Sequence, residues 1–437
     1  MEKFYDRKNE LELLGKIERQ SENNACFTVL TGRRRVGKTA LVKEFLKGKR
    51  GAYLFVVKTS EPLLCREWQK ILEEQLSLKI FGTVSSLSDL FAQVFEFSKS
   101  NHFALVIDEF QELENVNRSF FSSLQNLWDS AKGESKINLI VSGSVYSMMT
   151  KIFDGQKEPL FGRATHKMNI KPFTPSVIKE ILADFNPNYM PEDLLCLYML
   201  SGGVPKYIFL LMYAGAFSKD SMLSYALGET SPFLIDGKEI LVSEIGKDYG
   251  IYFSVLRLIS EGLTCQSEID SVIQKNTGTY LKNLEENFGV IKPIRPLFSK
   301  PASRNARYQI TDCYLRFFFR FVYSNQSLIE FGQHDTLKEI VLRDYETFSG
   351  KSLEQYFTSK IQEERKLTSI GGWWDRKSQN EIDIIAINAL EKTCCIYEVK
   401  RQAKKIDMEL LGEKARQFSK NIPGYAISLE GLSMEDM

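Results

Sequence analysis

An α/β fold built on a parallel sheet is what the first part of this sequence predicts, and two observations carry that expectation. Short apolar runs alternate with amphipathic helical stretches, the pattern of strands covered by helices on both faces. The first apolar run also leads straight into a glycine-framed loop and then a helix. Further along the pattern changes twice. Residues 246–325 read as helices followed by a strand pair, and 326–437 read as a second α/β region with acids set into its strands. The expected organisation is a core at 1–172, a helical lid at 173–245, a winged helix-turn-helix at 246–325 and a C-terminal α/β domain at 326–437.

Taken in order, 25–31, 51–57, 103–107 and 137–141 read as buried strands, and 165–170 is strand-like. Between them 39–47, 63–76, 87–98 and 119–131 carry apolar residues at helical spacing. Segments 252–260, 266–273 and 277–286 read as three short helices leading to an extended Phe288–Ile291. After a helical connector, 349–357 reads as a helix, and 370–374, 381–387 and 394–400 read as strands. The tail 431–437 is expected to fray.

Composition narrows the function class. The 437 residues hold 57 basic and 56 acidic side chains, so nucleic-acid affinity has to come from local patches. No apolar run approaches the ~18 residues of a bilayer span, and the N-terminal residues contain no secretion-type apolar region. Seven cysteines without metal-type spacing fit reduced thiols in a cytoplasmic protein, and His102, His166 and His334 are too scattered for a zinc site.

The loop Gly32-Arg33-Arg34-Arg35-Val36-Gly37-Lys38-Thr39 matches G-x-x-x-x-G-K-[ST]. Its glycines allow successive amides to turn inward around an anion, and the helix that follows adds its N-terminal dipole. Lys38 offers a charge to the β- and γ-phosphates of ATP, and Thr39 offers a hydroxyl to Mg²⁺. The strand 103–107 ends in Asp108-Glu109, an acidic pair that is costly to bury unless a cation stands at its end. Asp108 is the candidate Mg²⁺ holder and Glu109 the candidate base for the attacking water. Ser142 and Ser144, after the fourth strand, are either γ-phosphate sensors or an ordinary cap. Arg163 is either an arginine finger acting across a subunit interface or a surface residue. Lys206, in Gly202-Gly203-Val204-Pro205-Lys206, either reaches the phosphates or lies in a plain helix–helix turn.

These motifs, in this order from Phe4–Leu11 through GRRRVGKT, IDEFQ, SGS, FGR and GGVPKY, resemble a predominantly archaeal AAA+ ATPase family related to origin-recognition and STAND-type NTPases. The resemblance covers roughly residues 1–225. It implies that Phe4–Arg7 lies near the adenine, that Ser142 or Ser144 takes the place of the polar sensor, and that Arg163 is the finger. Homo-oligomer formation is a corollary.

In 246–325 the helices and strand pair make a winged helix, and 291–307 carries Lys292, Arg295, Lys300, Arg304 and Arg307 with no acid. That wing serves either DNA phosphates or a protein partner. In the last domain Asp383 sits in one strand and Glu398-Val399-Lys400 in the next. Two carboxylates and the Val399 carbonyl make an oxygen-only site of the kind Mg²⁺ prefers, Glu354 is an additional candidate ligand, and Lys400 is placed to orient or deprotonate a water. The pattern Glu354…Asp383…Glu398-x-Lys400 resembles the PD-(D/E)xK nucleases, which implies a restriction-endonuclease-like fold. Two function classes follow: an ATPase that acts on DNA through a metal-dependent nuclease domain, or an ATP-gated DNA-binding switch whose nuclease fold is inactive.

Overall fold

A computed structural model describes residues 3–299, 306–375 and 380–437. The chain divides into two compact units, Met1–Lys171 and Pro172–Met437.

The first unit is a five-stranded parallel sheet. Its strands are β1 (Cys26–Thr31), β2 (Gly51–Phe55), β3 (Phe103–Asp108), β4 (Ile137–Ser142) and β5 (His166–Asn169), in the order β2-β3-β4-β1-β5. Alternation along the strands feeds two cores. Cys26 and Leu30 of β1 join Leu14 and Ile17 of the helix Lys8–Ser21 and Leu41, Val42 and Phe45 of the helix Lys38–Leu46. Phe27 and Val29 face the other way, into a larger core with Trp68, Phe91, Leu124 and Phe153. β3 and β4 are buried along their whole length, which is why they read as apolar runs, broken only by Asn138 before the terminal Asp108 and Ser142. Parallel strands place every β-to-α loop at one edge of the sheet, so the loops after β1, β3 and β4 converge.

The second unit opens with helices Pro175–Phe185, Pro191–Ser201 and Pro205–Tyr213, each started by a proline whose missing N–H costs nothing there. Pro191–Ser201 is almost wholly buried. Gly203, with φ +81°, turns the chain against Phe173, and an added Cβ would collide with the Phe173 carbonyl oxygen. Next come helices Gly250–Glu261, Gln266–Ile273 and Gly278–Lys282, then β6 (Ile291–Ile294) and β7 (Arg307–Ile310), paired antiparallel. Lys300 and Arg304 of the basic segment lie outside the described residues.

The segment expected as a helix at 349–357 lies within one 31-residue helix, His334–Glu364. β8 (Ser369–Trp374), β9 (Glu381–Asn388), β10 (Thr393–Val399) and β11 (Ala426–Leu432) form a sheet in the order β11-β10-β9-β8. β8, β9 and β10 are antiparallel neighbours, and β11 runs parallel to β10 after the crossover helix Met408–Phe418. The expected fraying of 431–437 is wrong. Gly431 and Leu432 pair with Glu398 and Val399, Ser433 caps a final turn, and Lys179 bonds the Met437 carbonyl. Lone tail residues look loose in sequence because their partners, across the sheet, are remote. Among the described residues, no helix is long and apolar enough to cross a membrane.

Candidate functional site

The loop after β1 is shaped by close approach. A Cβ on Gly32 would lie 2.5 Å from the Ile170 carbonyl oxygen, so only glycine fits. Gly37, also at positive φ, caps the helix Lys38–Leu46 and aims its N-terminus into the loop. Lys38 is 6% exposed and folds back over the loop, donating to the carbonyls of Gly32 at 2.8 Å and Arg33 at 3.1 Å. Arg34, Arg35 and Val36 complete the turn, and the buried Arg7 guanidinium bonds the Val36 carbonyl at 3.1 Å. The Phe4–Arg7 segment thus braces the loop.

Asp108 closes the arrangement from the end of β3 and is 1% exposed. Its Oδ2 accepts from Thr39 Oγ1 at 2.6 Å and from the Tyr53 hydroxyl at 2.7 Å. Its Oδ1 accepts from Ser142 and from the Glu109 amide at 3.0 Å. Burial, then the adjoining Asp108 carboxylate, push the Tyr53 phenol far above its ordinary value, so it remains a donor. Glu109 adopts φ 56°, which swings its side chain out of the strand line. Its Oε2 accepts from Gln111 Nε2 at 2.5 Å and Ser144 Oγ at 2.7 Å. Thr39, Asp108 and Ser142 present oxygen donors only, the set a hard divalent cation takes, so these residues fit Mg²⁺. Tyr53 and Gln111 escaped the sequence reading. Gln111 lies inside the IDEFQ run and was the findable one.

Two other predicted residues have bonded partners of their own. Arg163 bonds Asp129 at 3.0 Å and the Phe161 carbonyl at 2.9 Å. It lies where β5 begins: the Thr165 amide bonds the Phe27 carbonyl, and His166 pairs with Thr28. The loop at Gly32 follows the other end of β1. Lys206 ion-pairs with the buried Asp236 at 2.8 Å.

In the second unit, β9 and β10 bring Asp383 and Glu398 together. Asp383 Oδ2 accepts from the Val399 amide at 2.9 Å, and Lys400 Nζ stands 2.6 Å from Glu398 Oε1 and 3.5 Å from Asp383 Oδ2. Burial raises the Asp383 carboxyl above its usual range despite the Val399 amide and Lys400. Burial alone would lower the Lys400 ammonium, but Glu398 and Asp383 more than offset it and hold it above the ordinary lysine value. Lys400 is therefore cationic here, suited to orienting a water or an anion. Glu354 instead pairs with Lys351 at 2.8 Å, and burial raises its carboxyl. Among the described residues, no group of three or more His, Cys, Asp and Glu side chains is gathered closely enough to hold a metal ion. The donor set that remains, Asp383, Glu398 and the Val399 carbonyl, is oxygen-only and fits a hard cation. The sequence reading missed Lys414, whose Nζ lies 3.4 Å from Glu398 Oε2. β7 docks nearby: Arg307 bonds Glu381 at 3.1 Å and lies 4.4 Å over the Trp374 ring, and the Leu297 amide bonds the Gly372 carbonyl.

Residues 4–211 match a family described as an ATPase domain predominantly from Archaea, and residues 318–411 match one described as archaeal and bacterial proteins of unknown function. An uncharacterized protein of Methanocaldococcus jannaschii is 29% identical over 425 residues, 93% of this chain and 91% of its own. Among solved structures, a Walker-type ATPase of Pyrococcus abyssi superposes with a TM-score of 0.55 at 19% identity, covering 72% of this chain and 96% of that one. The Aeropyrum pernix ORC2 protein, solved with ADPNP and ADP, gives 0.48 at 15% identity over 76% of this chain and 96% of its own. The N-terminal part of the chain carries an ATP-binding, ATPase-type domain.

Proposed function

We propose that the chain is an AAA+-type ATPase that acts on DNA, with a metal-dependent nuclease site in its C-terminal sheet. The observation that supports it most is the convergence of Thr39, Tyr53 and Ser142 on the buried Asp108, beside a glycine-framed loop that Lys38 folds over and that leads into the helix Lys38–Leu46. ATP phosphates fit against residues 32–39. Bound Mg²⁺ would draw charge from the phosphate oxygens. Glu109, aligned by Gln111 and Ser144, accepts a proton from the attacking water. Arg163 belongs to the far end of the sheet. The six residues of β1 separate the two ends by roughly 20 Å at ~3.3 Å per residue. It therefore serves a neighbouring copy's nucleotide rather than its own, which calls for a homo-oligomer.

The three helices and the β6–β7 pair make a winged helix whose exposed Lys292 and Arg295 contact DNA phosphates. At the second site Asp383, Glu398 and the Val399 carbonyl would hold a divalent cation, which supplies electrostatic stabilisation to a phosphodiester under attack. Lys400 orients the attacking water. The test is cleavage of plasmid and single-stranded DNA in Mg²⁺ or Mn²⁺ by the wild type, Asp383→Ala and Lys400→Ala. Loss of cleavage in both variants supports the nuclease. No wild-type cleavage with ATP present leaves the ATP-gated switch, a reading favoured by the lysines that already neutralise both acids.

A further inference from the structure

Glu398 is 8% exposed and carries two ammonium groups, one more than its charge requires. Lys400 approaches one oxygen at 2.6 Å. Lys414, only 13% exposed, approaches the other at 3.4 Å. Among the described residues Glu398 is the one partner of Lys414. That contact uses one of the three N–H bonds of an ammonium that is costly to bury. Lys414 is held there deliberately by its helix: Leu411, Ala415 and Phe418 of Met408–Phe418 lock into the core with Ile385, Ile387 and Ile396. Its position is thus fixed by the same packing that aligns β9 with β10.

The charge count has a chemical consequence. Asp383 and Glu398 against Lys400 and Lys414 sum to zero, and the flanking pairs Glu354–Lys351 and Glu381–Arg307 each cancel, whereas the same set without Lys414 would be net negative. A divalent cation entering this set raises the local charge to about +2 in a half-buried place, and like charges a few ångströms apart repel strongly. A phosphodiester oxygen brings back negative charge and gives the spare donors of Lys414 an acceptor.

We propose that Lys414 is a second phosphate-binding lysine of the C-terminal site, and that it makes cation and DNA bind together rather than separately. This rests on the nuclease reading above. Lys414 weakens the bare cation, and the incoming phosphate relieves that penalty. By linkage the cation tightens DNA by the same factor.

The experiment is Mn²⁺ binding by electron paramagnetic resonance on nucleotide-free full-length protein, with and without a duplex protected by phosphorothioates, paired with DNA anisotropy in EDTA. Wild type should bind Mn²⁺ weakly alone and about tenfold or more tightly with the duplex. Lys414→Met should tighten Mn²⁺ alone by about tenfold, weaken DNA in EDTA, and show little enhancement by the duplex. Lys414→Arg, which keeps the charge, should retain the wild-type coupling. If Lys414→Met loses its circular dichroism spectrum, Lys414→Gln is read in its place. Unchanged Mn²⁺ affinity and unchanged coupling in the neutral variant would overturn the proposal. Asp383→Ala separates the two levels. Should it bind Mn²⁺ as the wild type does, the nuclease reading itself fails; should it lose Mn²⁺ while Lys414→Met behaves as wild type, only the role of Lys414 fails.

Discussion

Replacing Asp108 by Asn isolates the contribution of one negative charge at the end of β3. The side chain keeps its shape, and the Glu109 amide, which can only donate, obliges the remaining oxygen to occupy the Oδ1 position. The new amide nitrogen then faces the hydroxyls of Thr39 and Tyr53, which must rotate to accept. Four bonds to a charged acceptor become neutral ones at a loss of about 1 kcal/mol each, partly offset because a buried charge is removed. The nucleotide-free protein should therefore change stability by about 2 kcal/mol or less. The Mg²⁺-dependent part behaves differently. One charge at about 4 Å from a cation, with an effective dielectric constant of ~20, is worth about 4 kcal/mol. Wild type at a hundredfold excess of Mg²⁺-ATP over Kd gains about 2.7 kcal/mol, or roughly 5–10 °C at 2–4 °C per kcal/mol. In Asp108→Asn at the same ligand concentration that gain should nearly vanish. The assay is thermal unfolding with ATP in Mg²⁺ and in EDTA. An equal Mg²⁺-dependent rise in both proteins would refute the placement of the cation at Asp108.

Glu109→Gln should still bind ATP, since the loop is untouched, but hydrolyse it about 10²–10⁴-fold more slowly; turnover at the wild-type rate would remove Glu109 as the base. Gly203→Ala forces a side chain into φ +81° and against the Phe173 carbonyl, so denaturant unfolding should show a loss of at least about 1–3 kcal/mol. Burial raises the Asp383 carboxyl, so the native state holds that proton more tightly than the unfolded chain does. This term opposes folding at neutral pH and disappears as pH falls from the raised folded value through the ordinary one. Asp383→Asn should accordingly melt higher than wild type at pH 7.5, with the difference closing toward about pH 3.5; a constant difference would contradict the assigned cause.

Sequence patterns revealed what depends on near neighbours. The glycine loop, the buried strands and the acids at the end of β3 each leave a local signature, because strand period and positive-φ glycines act within a few residues. The placement of Asp383 beside Glu398 was also legible, since a 15-residue separation suits adjoining antiparallel strands and β9 does pair with β10. Tyr53 and Lys414 were not legible. Tyr53 reaches Asp108 across 55 residues and only because β2 is the neighbour of β3. Lys414 reaches Glu398 only because the crossover helix rides over β9 and β10. Lys206 and Glu354 looked available in sequence, yet Asp236 and Lys351 bond them. A partner 30 residues away cannot be read from a turn motif.

Calorimetric titration of Mg²⁺-ATP into wild type and Lys38→Ala bears most directly on the central claim, that the triphosphate lies in the loop 32–39 against Asp108 and Glu109. Wild type should give a saturable heat with one nucleotide per chain, and Lys38→Ala, lacking the ammonium that folds over the loop, should give none at the same concentrations. Equal heats and equal affinity in the two proteins would place the nucleotide elsewhere.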